Sequence, residues 1–207
     1  MIPQASTVYV VDDDDAVREA LQALLSSVGL ECQCFASAEA FLAVADPTLR
    51  GCLLLDVRMP GMSGLELQRK LQHGKTTLQI LIITGHGDVT MAVRALKAGA
   101  SDFIEKPFNE QELLDRIQGC LQDDIERWHT RQSLEQARAR FLVLTPRENA
   151  VMELIAAGHH TKKIAGLLGI QDRTVDVHRF NIMHKLGVRT LAELLRLWSL
   201  SRQAPSD

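Results

Sequence analysis

The stretch Cys52–Leu55 is apolar at every position, and Leu78–Ile83 is apolar at all but Gln79. A strand in a half-exposed sheet alternates apolar and polar residues, so runs like these must be covered on both faces. That requires a parallel sheet with helices packed on either side. The rest of residues 1–122 fits the requirement. Val8–Val11 is a third apolar run, and Cys32–Phe35 and Phe103-Ile104 read as shorter strands. Between them Val17, Ala20, Leu21, Leu24, Leu25 and Val28 recur at helical spacing, with Gly29 as the stop. Ser37 reads as the N-cap of a helix carrying Phe41 and Val44. Val89, Ala92, Val93 and Leu96 form another stripe ended by Gly99, and Asn109 with Glu112 makes a capping box for a fifth helix. Strict alternation of five strands and five helices specifies an α/β doubly wound, five-stranded parallel sheet. In such sheets, ligands sit outside the carboxyl ends of the strands.

Those carboxyl ends carry reactive side chains. Asp12 and Asp13 close the first strand, Asp56 the third and Thr84 the fourth, while Lys106 follows the fifth. Three carboxylates on neighbouring strand ends repel one another. A hard divalent ion such as Mg²⁺ relieves that repulsion and leaves room for water and phosphate oxygens. A carboxylate beside such an ion can attack a phosphoryl group and become an aspartyl phosphate. The Thr84 hydroxyl can bond a phosphoryl oxygen, and Lys106 supplies a point charge. A single aspartate at a strand end is as readily a turn former; five such residues at matching ends read as a site.

Beyond this region the pattern becomes wholly helical. Leu114, Ile117, Leu121, Ile125 and Trp128 step by 3, 4, 4 and 3, and no Pro or Gly interrupts Leu121–Leu144. Acids and bases balance there, four against four over residues 123–143, so one long, partly exposed helix joins two domains. Thr145-Pro146-Arg147-Glu148 is an N-cap, a Pro at N1 and a capping-box Glu. Val151, Leu154 and Ile155 make the buried stripe that follows, and Gly158 ends it. Thr161 reads as the cap of a short helix holding Ile164, Ala165 and Leu168, and Gly169 ends that one. Thr174–Leu186 is a third helix and Leu191–Leu200 a fourth. Two helices separated by Gly169-Ile170 fit a helix-turn-helix, with the later helix free to enter a DNA groove.

The overall charge conceals this division. The chain has 26 acids against 23 Lys and Arg, a net of −3 that by itself argues against a nucleic-acid binder. Residues 1–122 carry −6, however, and residues 144–207 carry +3. An acidic, cation-binding half is joined to a mildly basic one. A net of +3 is small, so one copy should bind DNA poorly and pairing would double the phosphate contacts. The N-terminus has no basic region before its apolar stretch, and no apolar run is long enough to cross a membrane. The expectation is a cytoplasmic protein with no membrane partner. Cys32, Cys34, Cys52 and Cys120 lack the spacing of a zinc site and read as reduced thiols.

Val10-Val11-Asp12-Asp13, the run Leu55-Asp56-Val57-Arg58-Met59-Pro60-Gly61-Met62-Ser63-Gly64, Thr84-Gly85-His86 and Lys106-Pro107-Phe108 resemble the receiver domain of bacterial response regulators, over about residues 5–122. The resemblance implies a flavodoxin-like receiver with Asp56 as phosphoacceptor. It implies Mg²⁺ bound directly by Asp13, Asp56 and the backbone carbonyl of Arg58, with Asp12 reached through water. Thr84 and Lys106 would contact the phosphoryl group, Phe103 would be the aromatic switch, and Lys106-Pro107 would be a cis peptide. Thr84 moving towards the new phosphoryl oxygens would open space for the Phe103 ring to turn inward. The donor would be a cognate sensor histidine kinase.

The run Leu144–Glu148, then Lys163-Ile164-Ala165, Thr174–His178 and Lys185–Val188, resembles the LuxR-type DNA-binding domain over about residues 142–202. Taken together, the chain is identified as a member of the FixJ/NarL-type response regulators. Gly85-His86-Gly87-Asp88-Val89 leans to the FixJ side, and Asn181-Ile182-Met183 is similar to regulators of aromatic-hydrocarbon catabolism. The resemblance implies a receiver over 1–122, a linker helix over 123–142 and a DNA-binding domain over 143–207. It implies a phosphorylation-dependent, sequence-specific transcriptional activator, not an enzyme, that acts on promoter DNA with RNA polymerase and forms a homodimer when phosphorylated. Asp176, Val177 and Phe180 would face base edges, and Arg173, Thr174, Arg179 and Lys185 would face phosphates, with Lys162 and Lys163 adding contacts from the preceding helix. The helix bearing Leu191, Leu194, Leu195 and Trp198 would pair two DNA-bound subunits, or else complete the small domain's core.

Two departures stand out. Gln171-Asp172 replaces the usual Ser cap, which leaves capping to Asp172, and Phe180 either touches a thymine methyl or packs on a neighbouring helix. His178 repeats the apolar stripe and reads as structural. A Mg²⁺-dependent phosphohydrolase with an aspartyl nucleophile would want a second acid two residues after Asp56, where this chain has Arg58. A constitutive DNA binder with an inert receiver is opposed by the complete set of Asp12, Asp13, Asp56, Thr84 and Lys106.

Overall fold

The computed structural model describes residues 7–74, 76–85 and 89–203, and the chain divides into two units, Met1–Arg127 and Trp128–Asp207. In the first, β1 (Thr7–Val11), β2 (Cys32–Phe35), β3 (Gly51–Asp56), β4 (Gln79–Thr84) and β5 (Asp102–Glu105) form one parallel sheet in the order β2-β1-β3-β4-β5. The helices are α1 (Asp15–Ser27), α2 (Ala38–Leu42), α3 (Gly64–His73), α4 (Val89–Lys97) and α5 (Glu110–Phe141). All six residues of β3 and of β4 are buried, as double coverage requires. Alternation sends Tyr9, Val11, Leu53, Leu55, Ile80 and Ile82 to one face, against Phe41 of α2, Leu67 of α3 and Ala95 of α4. Val8, Val10, Cys52, Leu54, Leu81 and Ile83 go to the other, against Leu21 and Leu25 of α1 and Leu113 and Ile117 of α5.

Several local expectations are corrected. Gln79 is buried, and its Oε1 accepts a 2.9 Å hydrogen bond from Ser101 Oγ, so this polar residue sits in a covered strand without an unmet acceptor. Ser37 caps α2, but the helix stops at Leu42 and leaves Val44 exposed beyond it. Asn109 Oδ1 caps α5 through the N–H groups of Gln111 and Glu112, at 2.8 and 3.2 Å. Glu112 does not reach back to complete the box; it pairs with Arg116 at 2.7 Å instead. The stretch His86–Asp88 lies outside the described residues. The four cysteines are free thiols, with Cys52 and Cys120 buried and the Cys32 and Cys34 sulfurs 3.6 Å apart.

The fifth helix and the helix expected over 123–142 are one element, since α5 runs unbroken for 32 residues. Its buried apolar positions are Leu113, Leu114, Ile117, Cys120 and Leu121 in the first half and Leu134, Ala137 and Phe141 in the second. Asp124, also buried, binds Arg50 at 2.8 Å and so ties α5 to the start of β3. The second unit continues with α6 (Pro146–Ala156), α7 (Thr161–Leu168), α8 (Asp172–Leu186) and α9 (Leu191–Arg202). Their shared core holds Val151, Met152, Ile155, Ile164, Ala165, Val175, Ile182, Leu186 and Leu194, together with Phe141 and Leu144. Gly169 takes a left-handed conformation, φ 64°, which lets the chain turn sharply between α7 and α8. No helix among the described residues is long and apolar enough to cross a membrane.

Candidate functional site

Register brings the strand ends together. Val11 of β1 lies beside Leu55 of β3, and Asp56 of β3 lies beside Ile83 of β4. The residues that follow β1 and end β3 therefore emerge as neighbours, at the point where the strand order reverses direction. Asp12 and Asp56 are both buried. Lys106, the residue directly after β5 and followed by a cis peptide to Pro107, places its ammonium between them, 2.6 Å from Asp12 Oδ2 and 3.1 Å from Asp56 Oδ1. The second oxygen of Asp56 accepts the Arg58 N–H at 2.6 Å, and that of Asp12 accepts the Asp14 N–H at 3.0 Å. Burial pushes the Asp56 carboxyl above its ordinary value, and the Asp12 charge adds to this, although Lys106 pulls the other way. Burial works against the charged Lys106 too, but the two carboxylates outweigh it and hold its ammonium above the usual range.

The expected set is brought together in part. Asp12, Asp56 and Lys106 meet, and Thr84 is buried at the end of β4, in register with Glu105. Asp13 is exposed, and among the described residues no three carboxylate, imidazole or thiol groups converge closely enough to hold a metal ion. The three-carboxylate cluster is thus not assembled here. The Lys106 ammonium offsets one of the two charges of Asp12 and Asp56, and the repulsion that remains is what a cation would relieve. In kind, the donors suit Mg²⁺: Asp12, Asp13, Asp56 and the Arg58 carbonyl are all hard oxygens. Phe103 is half-buried on β5 and packs against the apolar layer shared with Ile82.

Two supporting residues escaped the sequence reading. Arg18 of α1 donates to the Asp12 backbone carbonyl at 2.6 Å and pairs with Asp15. Asp14 caps α1 by accepting from the Ala16 and Val17 N–H groups, so a run of four acids contains one buried site residue and one helix cap. The signal for Arg18 is its place one turn into α1 behind the acids. Gly64 matters for a steric reason: a Cβ there would lie 2.1 Å from the Asp56 carbonyl oxygen. Ser63 and Glu66 close a full capping box at the same helix start.

In the second unit, α8 presents an exposed face. Arg173, Asp176, Val177 and Phe180 are exposed, with Thr174 and Arg179 partly so, and Lys162 and Lys163 are exposed on α7. Phe180 is 69% exposed, and its ring contact is with His184 one turn on, centroids 6.2 Å apart and nearly parallel. It does not pack on a neighbouring helix. His178 is partly buried. Thr161 does not cap α7. His160 holds that position, and the Thr161 hydroxyl bridges to α8, 3.4 Å from Asp176 Oδ1 and 3.3 Å from Arg179 Nη1. Gln171, not Asp172, is the cap residue of α8, and neither α7 nor α8 has a side-chain cap bond.

Packing bears on two further sets of residues. Lys185 is exposed on α8. Its ammonium lies 2.7 Å from Glu148, a buried carboxylate that also completes the α6 capping box with Thr145. Of the α9 residues expected to pair subunits, Leu194 is fully within the core and Leu195 and Trp198 pack against it. Trp198 meets Phe141 edge to face at 5.1 Å, and Arg202 lies over its other surface. Leu191 is the exposed one of the four. Helix α9 thus contributes to the core of the second unit through Leu194, Leu195 and Trp198.

Comparison with known proteins matches both units. The response regulator receiver domain model fits residues 8–118, and that of the bacterial regulatory proteins of the luxR family fits residues 142–198. The transcriptional regulatory protein FixJ of Azorhizobium caulinodans is 42% identical over 206 residues, covering 100% of this chain and 98% of that protein. The response regulator protein TodT of Pseudomonas putida is 43% identical over 197 residues, 95% of this chain and 87% of its own length. Among solved structures, that of the response regulator StyR superimposes with a TM-score of 0.84 at 51% identity, covering 93% of this chain and 98% of that one.

Proposed function

Because the chain belongs to the two-component response regulators that join a receiver to a LuxR-type DNA-binding domain, and is a transcription regulator, not an enzyme, we propose that its output is controlled by phosphorylation of Asp56. The observation that carries this reading is the buried Asp56 carboxylate, which shares the Lys106 ammonium with Asp12 at the carboxyl ends of β1 and β3. In the step proposed, an Asp56 carboxylate oxygen attacks the phosphorus of a phosphohistidine on a sensor kinase. The P–N bond breaks, and its electron pair stays on the imidazole, which takes up a proton. Asp13, Asp56 and the Arg58 carbonyl would hold Mg²⁺, with Asp12 reached through water, and the ion when bound would supply charge compensation for the phosphoryl oxygens. Lys106 then has a second anion to serve: as the phosphoryl group forms, its ammonium can follow the negative charge away from Asp12. The Thr84 hydroxyl donates to another phosphoryl oxygen, and the Phe103 ring takes up the space that this opens.

The functional parts are then a receiver over 1–122, a linker over 123–142 and a DNA-binding domain over 143–207. The DNA face is that of Lys162, Lys163, Arg173, Thr174, Asp176, Val177, Arg179 and Phe180. Two phosphorylated copies bind promoter DNA together, with Leu191 on the outer side of α9 available for pairing, and recruit RNA polymerase in the cytoplasm. The test is labelling of the full chain by acetyl phosphate or a phosphorylated sensor kinase in the presence of Mg²⁺. Alkali-labile, hydroxylamine-sensitive phosphate should appear on the wild type and be absent from Asp56→Asn. Label persisting in that variant would remove Asp56 from the role.

A further inference from the structure

An exposed phenyl ring with no partner outside its own helix needs an explanation. Phe180 is 69% exposed and Val177, one turn earlier, is 51% exposed. They sit at i and i+3 on α8 and so share one face. The same two helices present cations: Arg173, one turn before Val177 on α8, and Lys162 and Lys163 on α7 are all exposed. Two acids share this side of α8, Asp172 at its first turn and Asp176, whose Oδ1 is 3.4 Å from the Thr161 hydroxyl. The Phe180 ring has one aromatic neighbour, His184 one turn on, with 20° between the planes and centroids 6.2 Å apart. An exposed apolar pair on helices that also present Arg173, Lys162 and Lys163 is unsuited to a protein core. It suits a groove walled by phosphates whose floor carries apolar groups, and in the major groove the apolar groups are the 5-methyls of thymine.

Resting on the reading of α8 as the DNA-facing helix, we propose that this chain selects its site by thymine 5-methyl groups. Val177 and Phe180 are the specificity-determining residues, and His184 is a positioning residue that holds the Phe180 ring. The consequence for partner chemistry is specific. The half-site should hold neighbouring thymines where α8 enters. A 5-methylcytosine should substitute for thymine there better than cytosine does, because it presents the same methyl at the same place. Hydrogen-bond readout at these two positions is absent, since neither side chain has a donor or acceptor.

The experiment begins with full-length protein activated by acetyl phosphate and Mg²⁺, which selects its preferred sequence from a random duplex pool. The winning duplex is then rebuilt with deoxyuridine in place of thymine, one position at a time; this removes only a methyl. At the contacted positions affinity should fall about four-fold per methyl. Phe180→Ala should bind more weakly and show no difference between the two duplexes, with unchanged tryptophan fluorescence as evidence of folding. His184→Ala should narrow the thymine-to-uracil ratio while keeping most of the affinity. Equal binding of both duplexes by the wild type at every position overturns the proposal. Arg173→Ala and a Lys162→Ala/Lys163→Ala pair separate this from failure of the underlying reading. If they weaken binding and flatten its salt dependence while uracil changes nothing, only methyl readout falls. If they change nothing, α8 is not the DNA face.

Discussion

Lys185 has two mutually exclusive uses, and one set of substitutions tells them apart. Glu148 is 3% exposed and its Oε2 accepts from the Thr145 N–H at 2.8 Å, the Thr145 hydroxyl at 2.9 Å and the Lys185 ammonium at 2.7 Å. Glu148→Gln keeps an acceptor for Thr145 but halves the strength of the Lys185 bond. Lys185 is about a third exposed and can turn to water, so this change should cost only about 1 kcal/mol. Lys185→Met is worse, because it leaves the buried carboxylate without its cation. Full isolation of such a charge costs about 3–5 kcal/mol; the two Thr145 donors remain, so about 2–3 kcal/mol is expected. The double variant, with neither charge, should be less destabilised than the sum by about 1–2 kcal/mol. Urea unfolding followed by tryptophan fluorescence reads this directly, because both tryptophans, Trp128 and Trp198, belong to the second unit. The same pair makes the unit acid-sensitive. Burial works to raise the Glu148 carboxyl, but Lys185 and Thr145 hold it below its ordinary value. Its contribution is therefore complete above the unfolded carboxyl's value and is lost as pH falls through the folded one. Strictly additive costs would refute the pairing. So would a Lys185→Met variant of normal stability whose DNA binding has a salt slope smaller by about one, the signature of a phosphate contact.

Three further outcomes are expected. Asp56→Asn should abolish phosphotransfer yet stabilise the receiver in denaturant at neutral pH. The folded carboxyl titrates above its unfolded value, so its ionised form costs stability, and the gap from wild type should close as pH falls through that value; an Asn variant less stable at pH 7 would contradict the electrostatic account. Gly64→Ala must move either the start of α3 or the Asp56 carbonyl, and should cost about 1–3 kcal/mol and slow phosphorylation. Gly119→Ala, with nothing within 4 Å of the new methyl and α5 on both sides, should instead stabilise by up to about 1 kcal/mol; thermal melts of the two variants give the comparison. Trp198→Glu should destabilise the second unit by about 3 kcal/mol through loss of its Phe141 contact, whereas Leu191→Glu should fold normally and impair paired footprinting; the reverse pattern would return α9 to a purely intermolecular role.

The sheet was legible because β3 and β4 are buried at every position, a state that leaves its mark on every residue of a strand. Strand-end residues were legible for the same reason, since the run simply stops at Asp12, Asp56 and Thr84. Charge placement was less so. Sequence shows that three aspartates lie near one another but not that an ammonium already sits between two of them, because Lys106 is 50 residues from Asp56 and 94 from Asp12. The small helical unit was harder still. Its helices are short and share one core, so apolar residues on several sides of a helix can face inward, while others such as Leu142, Leu167 and Phe180 stay exposed. Leu194 and Trp198 carry no mark that separates core from contact surface. Lys185 and Glu148 read separately as a surface base and a capping acid, and only the folding of α6 onto α8 joins them. Phe180 is the converse case: an apolar residue whose environment was left open by sequence and which proves exposed.

The placement of the cysteines has a practical kinetic consequence. Cys52 in β3 and Cys120 in α5 lie in the same apolar layer, one at 0% and the other at 6% exposure. An alkylating reagent can reach them only when strand and helix part. The rate at which these two thiols are capped, read by mass after a brief pulse, is thus a clock for opening of that layer. It requires no introduced label and is independent of the tryptophans in the other unit. If phosphorylation tightens the receiver, the clock slows while the tryptophan signal stays where it was, so the two halves of the chain can be timed separately in a single tube.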